Sequence, residues 1–313
     1  MAATPREVDG EPVDHIAVVG GIRGLGSAQD RVYLYNPSEN RWHEGPSLPE
    51  PRHHTTAASL HGALYVSGGA RSVTGSWEPE ATVWRLAPDS DRWHAVPDMP
   101  DGRYGHRLVV AGEELVAVGG HGPGRDTFIY RTDGRDDESA RHADTGEAYE
   151  AGKWRRAAPI PVMRDHLSVV VAEGEIWAIG GRADDENFAR VDIYDPAADR
   201  WRDGPDLPAD TSGAAEGFID GEILIFGGED PSFLGGQVFD RHWRIDPSAD
   251  DPRWSEAEPP LQAVHGAEGA VLDGRFYIAG GAHRQGGRSV ISWRDLLQIR
   301  ERYGTPRAHS GRR

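Results

Sequence analysis

Cysteine is absent from the 313-residue chain, which excludes disulfides, thiolate metal sites and a cysteine nucleophile. Lysine is almost absent as well. Lys153 is the single lysine among 34 basic residues, and these face 51 Asp and Glu for a formal charge of −17. An acidic total argues against general nucleic-acid binding, because neutralising phosphates needs a surplus of Lys and Arg. No apolar run approaches the ~20 residues needed to cross a bilayer. The start Met1-Ala2-Ala3-Thr4-Pro5-Arg6 lacks the apolar centre of a signal peptide. The expectation is a soluble, cytoplasmic monomer with no membrane or nucleic-acid partner. Hydrophobic residues make up only 37% of the chain, while 40 Gly and 22 Pro together supply about a fifth of it. The core must therefore be assembled from many short segments separated by turns, and long helices are not expected.

What the chain does have is a repeat. Six apolar runs end in glycine pairs at 20–21, 68–69, 119–120, 180–181, 227–228 and 280–281, at intervals of 48, 51, 61, 47 and 53 residues. Each run is β-branched or aromatic and stops at glycine, as expected for a strand buried on both faces. A basic residue followed by tryptophan keeps phase with the glycines, giving Trp42, Trp93, Trp154, Trp201 and Trp254, and Pro49, Pro100, Pro161 and Pro208 each follow their tryptophan by seven residues. A third segment, such as Val32 to Tyr35, lies between the glycines and the tryptophan, and a fourth, such as Leu167 to Gly174, follows the tryptophan. Each unit thus carries four strands.

Four short antiparallel strands in roughly 50 residues, with a glycine pair and a later tryptophan, resemble the kelch repeat of the galactose-oxidase-like superfamily, and the resemblance covers nearly the whole chain. It implies one all-β domain over 1–313, a six-bladed β-propeller whose tryptophans fill the gaps between blades. Two departures are visible. Residues 131–152 form a charged insertion, read as a surface loop, and the sixth unit has a third strand near Ser289 to Trp293 but no later Arg-Trp. The tail 296–313 contains Thr305-Pro306-Arg307-Ala308-His309, faintly repeating Pro51-Arg52-His53-His54, and is a candidate for closing the ring.

In such propellers, the resemblance implies, the loop entering the innermost strand and the loop after the glycine pair share one face around a central funnel. The first set here includes Arg52, His53, His54, Arg103, Tyr104, His106, Arg107, Arg164, Asp165, His166 and His265; the second includes Arg23, Arg71, Trp77, His121, Arg125, Arg182, Glu229, His283 and Arg284. Arginine and histidine dominate, so the face is expected to grip a carboxylate or phosphate through paired guanidinium hydrogen bonds. The competing reading is that Arg52, Arg103 and Arg164 recur because each fastens its loop to a blade. The ligand candidates are Arg23, His54, Arg71, His106, Arg107, His121, Arg125, Arg164, His166, Arg182, His265, His283 and Arg284.

Histidines 54, 106, 166 and 265 stand in nearly the same phase of their units, but no Asp or Glu at ligand spacing accompanies them, so neither a metal nor a cofactor is expected. His166 beside Asp165, with Arg182 and the channel carboxylates Glu216 and Glu268, is the candidate acid–base set. The leading functional expectation is a binding module for an acidic peptide, protein or other polar anion. The alternative is a sugar- or small-acid-processing isomerase or lyase similar to the kelch-type sialic acid epimerases. Copper-radical oxidases on this scaffold need a cysteine cross-linked to tyrosine, and there is none. A single small cavity gathering His166, Arg182, Glu216 and Glu268 would favour the enzyme, and a broad mouth the binder.

Overall fold

A computed structural model describes residues 1–8, 10–23, 26–132, 152–184, 186–230, 236–258 and 263–283. These form only strands and turns, with no helix among the described residues and hence none long and apolar enough to cross a membrane.

Five sheets have four antiparallel strands each. From the axis outward, blade one runs Ala2–Val8, Glu11–Val19, Val32–Asn36 and Arg41–Glu44. Blade two runs Thr56–Leu60, Ala63–Ser67, Val83–Leu86 and His94–Val96, and blade three Arg107–Ala111, Glu114–Val118, Thr127–Arg131 and Trp154–Ala157. Blade four comprises Ser168–Ala172, Glu175–Ile179, Val191–Asp195 and Arg200–Asp203, and blade five Ala215–Ile219, Glu222–Phe226, His242–Ile245 and Ser255–Glu256. The expectation of six four-stranded blades is therefore corrected to five. The sixth unit contributes a two-stranded sheet, His265–Leu272 with Arg275–Ala282. Its expected third strand, most of the charged insertion and the tail 296–313 lie outside the described residues.

Hydrophobic burial sits in the seams between neighbouring sheets. Trp177, Ile179 and Ile193 of blade four meet Ile223, Ile225 and Trp243 of blade five. The two-stranded sheet is packed on both sides: Phe276 and Ile278 meet Leu224 and Phe226 of blade five, while Tyr277 and Ala279 meet Ile16 and Tyr35 of blade one. The first innermost strand, Ala2–Val8, comes from the N-terminal segment, which its sparse apolar content, Ala-Ala-Thr-Pro-Arg-Glu-Val, did not suggest.

The tryptophans do more than fill space. Trp93, Trp154, Trp201 and Trp254 donate their indole N–H to the carbonyls of Pro46, Pro97, Ala158 and Pro205 on the preceding blade, at 2.9, 2.8, 2.9 and 2.7 Å. Each indole thus buries apolar area and satisfies its polar handle at the same seam.

Glycine is required at the pairs by backbone conformation and by crowding. Gly68 and Gly69 have φ of 60° and 91°. The Gly68 N–H donates within its own blade, to Thr82 O at 3.0 Å, and the Gly69 N–H crosses to Arg103 O of the next blade at 2.8 Å. A Cβ on Gly68 would lie 2.4 Å from the Arg103 carbonyl oxygen. Gly68→Ala therefore combines left-handed strain with overpacking against backbone, for an expected loss of about 3 kcal/mol. Urea denaturation of the variant checks this; a loss below about 1 kcal/mol would mean the seam can open.

Candidate functional site

The loops that enter the innermost strands are built alike. The N–H of the second glycine in the first five pairs donates to Arg52 O, Arg103 O, Arg164 O, Thr211 O and Val264 O of the following unit. Two residues after each of these carbonyls stand His54, Gly105, His166, Gly213 and Gly266, all left-handed, with φ between 51° and 64°. Their peptide groups link blade to blade: Gly105 N–H to His54 O, His166 N–H to Gly105 O, Gly213 N–H to His166 O and Gly266 N–H to Gly213 O, at 2.7–2.9 Å. Histidine is among the non-glycine residues that accept this conformation, and here it turns His54 and His166 towards each other across the mouth, ring centroids 4.9 Å apart.

This register resolves the four histidines that stand in nearly the same phase of their units. Only His54 and His166 are equivalent. His265 falls one step earlier, level with Tyr104 and Asp165, and His106 one step later. His106 consequently points into a seam, fully buried, with its Nε2 2.9 Å from Ser67 Oγ.

The three recurring arginines are likewise turned inward. Arg103 donates to Gly119 O at 3.0 Å and lies 3.9 Å over the Phe128 ring. Arg52 pairs with Glu50 at 2.8 Å over Trp84. Arg164 reaches Gly180 O, Ala178 O and the carboxylate of Asp192, the last at 2.7 Å and as fully buried as the arginine. Of the ligand candidates, Arg164 and His106 thus lie beneath the face, held by neighbouring groups.

Two clusters remain near the axis. In the upper one, His166 Nδ1 pairs with Asp165, and Arg182 donates to His166 Nε2 at 3.2 Å while bonding Glu229 at 3.0 Å and lying 3.4 Å from Asp165. His265 Nδ1 meets Glu229 at 3.0 Å. Alongside lies an aromatic group. His54 and His53 each pack on Trp77 at 4.6 Å, Trp77 is 5.3 Å from Tyr104, and Tyr104 stacks on His121 at 4.8 Å. Burial, helped by the neighbouring His166 and Arg182, holds His54 well below the usual imidazole range, and burial outweighs Asp165 to lower His166 as well. Both rings are neutral at pH 7. Burial opposes ionisation of Asp165 and Glu229, yet their partners His166, His265 and Arg182 win and keep both carboxylates below their ordinary values.

The lower cluster crosses the channel. Arg107 of blade three donates through Nε to Glu216 of blade five at 2.7 Å and through Nη1 to Glu268 of the two-stranded sheet at 3.0 Å, and Glu268 also meets the amine of Met1. These groups line a cavity of about 250 Å³ whose remaining walls are mostly apolar, including Val109, Val170, Phe218 and Val271. His166 and Arg182 do not line it. The proposed acid–base set is therefore divided between two places, and the enzyme reading gains no support.

The other candidates sit on the rim. Arg23 is exposed on a small ribbon with Ser27–Ala28, Arg71 is bound between Glu50 and Glu80, and Arg125 donates to Pro161 O. His283 donates through Nδ1 to Ala263 O, 2.8 Å away, and Arg284 lies outside the described residues. Among the described residues no group of three or more His, Asp or Glu has metal-holding geometry. Trp77 and Tyr104, not among the ligand candidates, turn out to shape the mouth; their place in the same two loop sets was the available signal.

Blades arranged around an axis, pinned by glycine pairs and tryptophan hooks, define a β-propeller with its loops gathered at one mouth. The chain carries kelch-type repeats: the Kelch motif model matches residues 15–49, 51–100 and 163–208. It is 26% identical over 276 residues to Kelch-like protein 35 of Mus musculus, covering 87% of this chain and 42% of that protein. It is 29% identical over 215 residues to Beta-scruin of Limulus polyphemus, covering 64% of this chain and 22% of that protein. The chain thus spans less than half the length of these relatives. A solved structure described as "Structure of YjhT" superposes with a TM-score of 0.70 at 15% identity, covering 93% of this chain and 92% of that one, and shows the shared fold.

Proposed function

We propose that the chain is a binding module that receives a segment of a partner protein at the mouth of the propeller. The observation that carries this reading is the confluence of loops from blades two to five and the two-stranded sheet, where half-buried Trp77 and Tyr104 and the exposed His121 lie beside ion-paired groups without a converging acid–base set. Aromatic side chains with a polar tip, set among fixed hydrogen-bonded groups, are the usual anchors of protein recognition. Kinship with kelch-repeat proteins supports the same class. The expectation of an acidic ligand loses its footing, because Arg52, Arg103 and Arg164 are buried and Arg71, Arg107 and Arg182 already hold carboxylates.

Selection of a random peptide library on the immobilised chain tests the reading. Enriched peptides should bind roughly tenfold or more weakly to Trp77→Ala, the loss of one aromatic anchor, and be unaffected by Glu173→Ala at the opposite end of the blades. Peptides indifferent to Trp77, or none enriched, would place any binding elsewhere.

A further inference from the structure

Deepening the reading above, and resting on it, we infer that the anchor accepted by the mouth is a cationic side chain, arginine or lysine, laid against Trp77, Tyr104 and His121 with Asp165 as its nearest counter-charge.

Three observations lead there. First, the platform is open for contact. His121 is exposed and Trp77 and Tyr104 are half-buried, and neither the indole N–H of Trp77 nor the hydroxyl of Tyr104 has a hydrogen-bond partner among the described residues. The seam tryptophans Trp93, Trp154, Trp201 and Trp254 satisfy their N–H on a neighbouring carbonyl, and Trp177, which has none, is buried in a seam; the Trp77 indole is unpaired at a half-buried place on the mouth.

Second, the local charge balance is negative. Asp165 and Glu229 share the guanidinium of Arg182, Glu229 being also bonded by His265, while the adjacent imidazoles His54 and His166 are held neutral by burial. Asp165 stands beside the platform, on the loop step equivalent to Tyr104 in the next blade and 3.4 Å from where a Cβ on Gly105 would lie, and burial together with this carboxylate raises the Tyr104 hydroxyl. A neutral or anionic ligand would leave the excess charge unanswered; a cation over an aromatic face beside a carboxylate gains from both.

Third, the surrounding rim continues the same sign. On the rim loops, Glu78, Asp184 and Glu186 have no cationic partner among the described residues, against Arg23 and Arg125, whereas Glu80 is held by Arg71 and Arg52 and Asp126 by Arg156. This field would draw a basic segment towards the mouth and repel an acidic one.

The test uses the full chain and peptides recovered from the random library, scored for their anchor residue and measured by calorimetry at two salt concentrations. The expected result is enrichment of Arg or Lys at one position, with affinity lost about tenfold on changing that residue to Ala, about tenfold in Trp77→Ala, and several-fold in Asp165→Asn. Trp77→Phe should recover most of the affinity, which a merely structural role for Trp77 would not distinguish from Trp77→Leu. Thermal unfolding of each variant, unchanged within a few degrees, keeps Asp165→Asn interpretable; if it is unstable, the salt dependence of the wild type carries the same information, since cation capture must weaken as salt rises. Peptides that depend on Trp77 but carry an acidic or uncharged anchor would overturn this inference and leave the binding module standing. Peptides indifferent to Trp77 would remove both.

Discussion

Replacing Arg107 by alanine should destabilise the propeller by about 3–5 kcal/mol at pH 7, among the largest losses available to a single substitution here. The guanidinium spans the channel from blade three to Glu216 of blade five and Glu268 of the neighbouring sheet, with side-chain exposures of 11%, 9% and 20%. Removing it takes away the hydrogen-bonded counter-charge of Glu216 and leaves only the Met1 amine, which Glu268 already holds. Burial already raises the Glu216 carboxyl above its ordinary value even with Arg107 in place, so the variant should raise it further. A carboxyl whose folded value lies above its unfolded one favours the fold most when protonated, and that benefit disappears as pH rises through the folded value. The penalty of Arg107→Ala should therefore shrink as pH is lowered towards 5. Glu216→Gln in the Arg107→Ala background should recover part of the loss at pH 7. Urea denaturation of the two single variants and the double variant gives the coupling. A loss below 1 kcal/mol, independent of pH, would mean that water enters the channel freely and the bridge is ornamental to stability.

The repeat itself was legible because its signals are local. A glycine pair with left-handed φ at both positions, a tryptophan with a carbonyl acceptor one blade away, and strands of four or five residues all leave marks within one unit. Radial position leaves no such mark. Histidines 54, 106, 166 and 265 look alike in the sequence, but a displacement of one residue alternates a side chain between mouth and seam, so His106 is buried where His54 and His166 meet at the axis.

Charge pairing across the ring was hidden for a related reason. Arg107 and Glu216 are 109 residues apart, and only closure of the ring brings them together. Counting arginines in loops predicted an anion-binding face. The structure answers most of those charges internally, at Asp192 for Arg164, at Glu50 for Arg52, and at Glu229 and Asp165 for Arg182. The residues left open are aromatic, and a lone Trp77 or Tyr104 in a loop gives no sign of which neighbour it will face.

The seam histidine supplies a second large effect, this one read through acid. His106 is wholly buried with Arg103 and Arg107 nearby, and its ring bonds only Ser67 Oγ. Burial first, then repulsion from Arg103 and Arg107, pulls it down to about 3 from the ordinary 6.5. Above pH 6.5 the ring is neutral in both folded and unfolded chains and contributes no pH dependence. Between pH 6.5 and 3 the unfolded chain takes up a proton that the folded chain refuses, so stability falls as pH falls. That loss amounts to roughly 2 kcal/mol by pH 5 and about 4 kcal/mol near pH 3. Carboxylates contribute acid sensitivity too, which a non-titrating variant removes by difference. His106→Gln should cost stability at pH 7.5, where the imidazole packing is lost, yet the gap to wild type should narrow by about 2 kcal/mol at pH 5. Urea midpoints for both proteins at the two pH values measure it. A gap that stays constant would mean that His106 carries its proton in the folded state, paired in a way that its Ser67 contact does not provide.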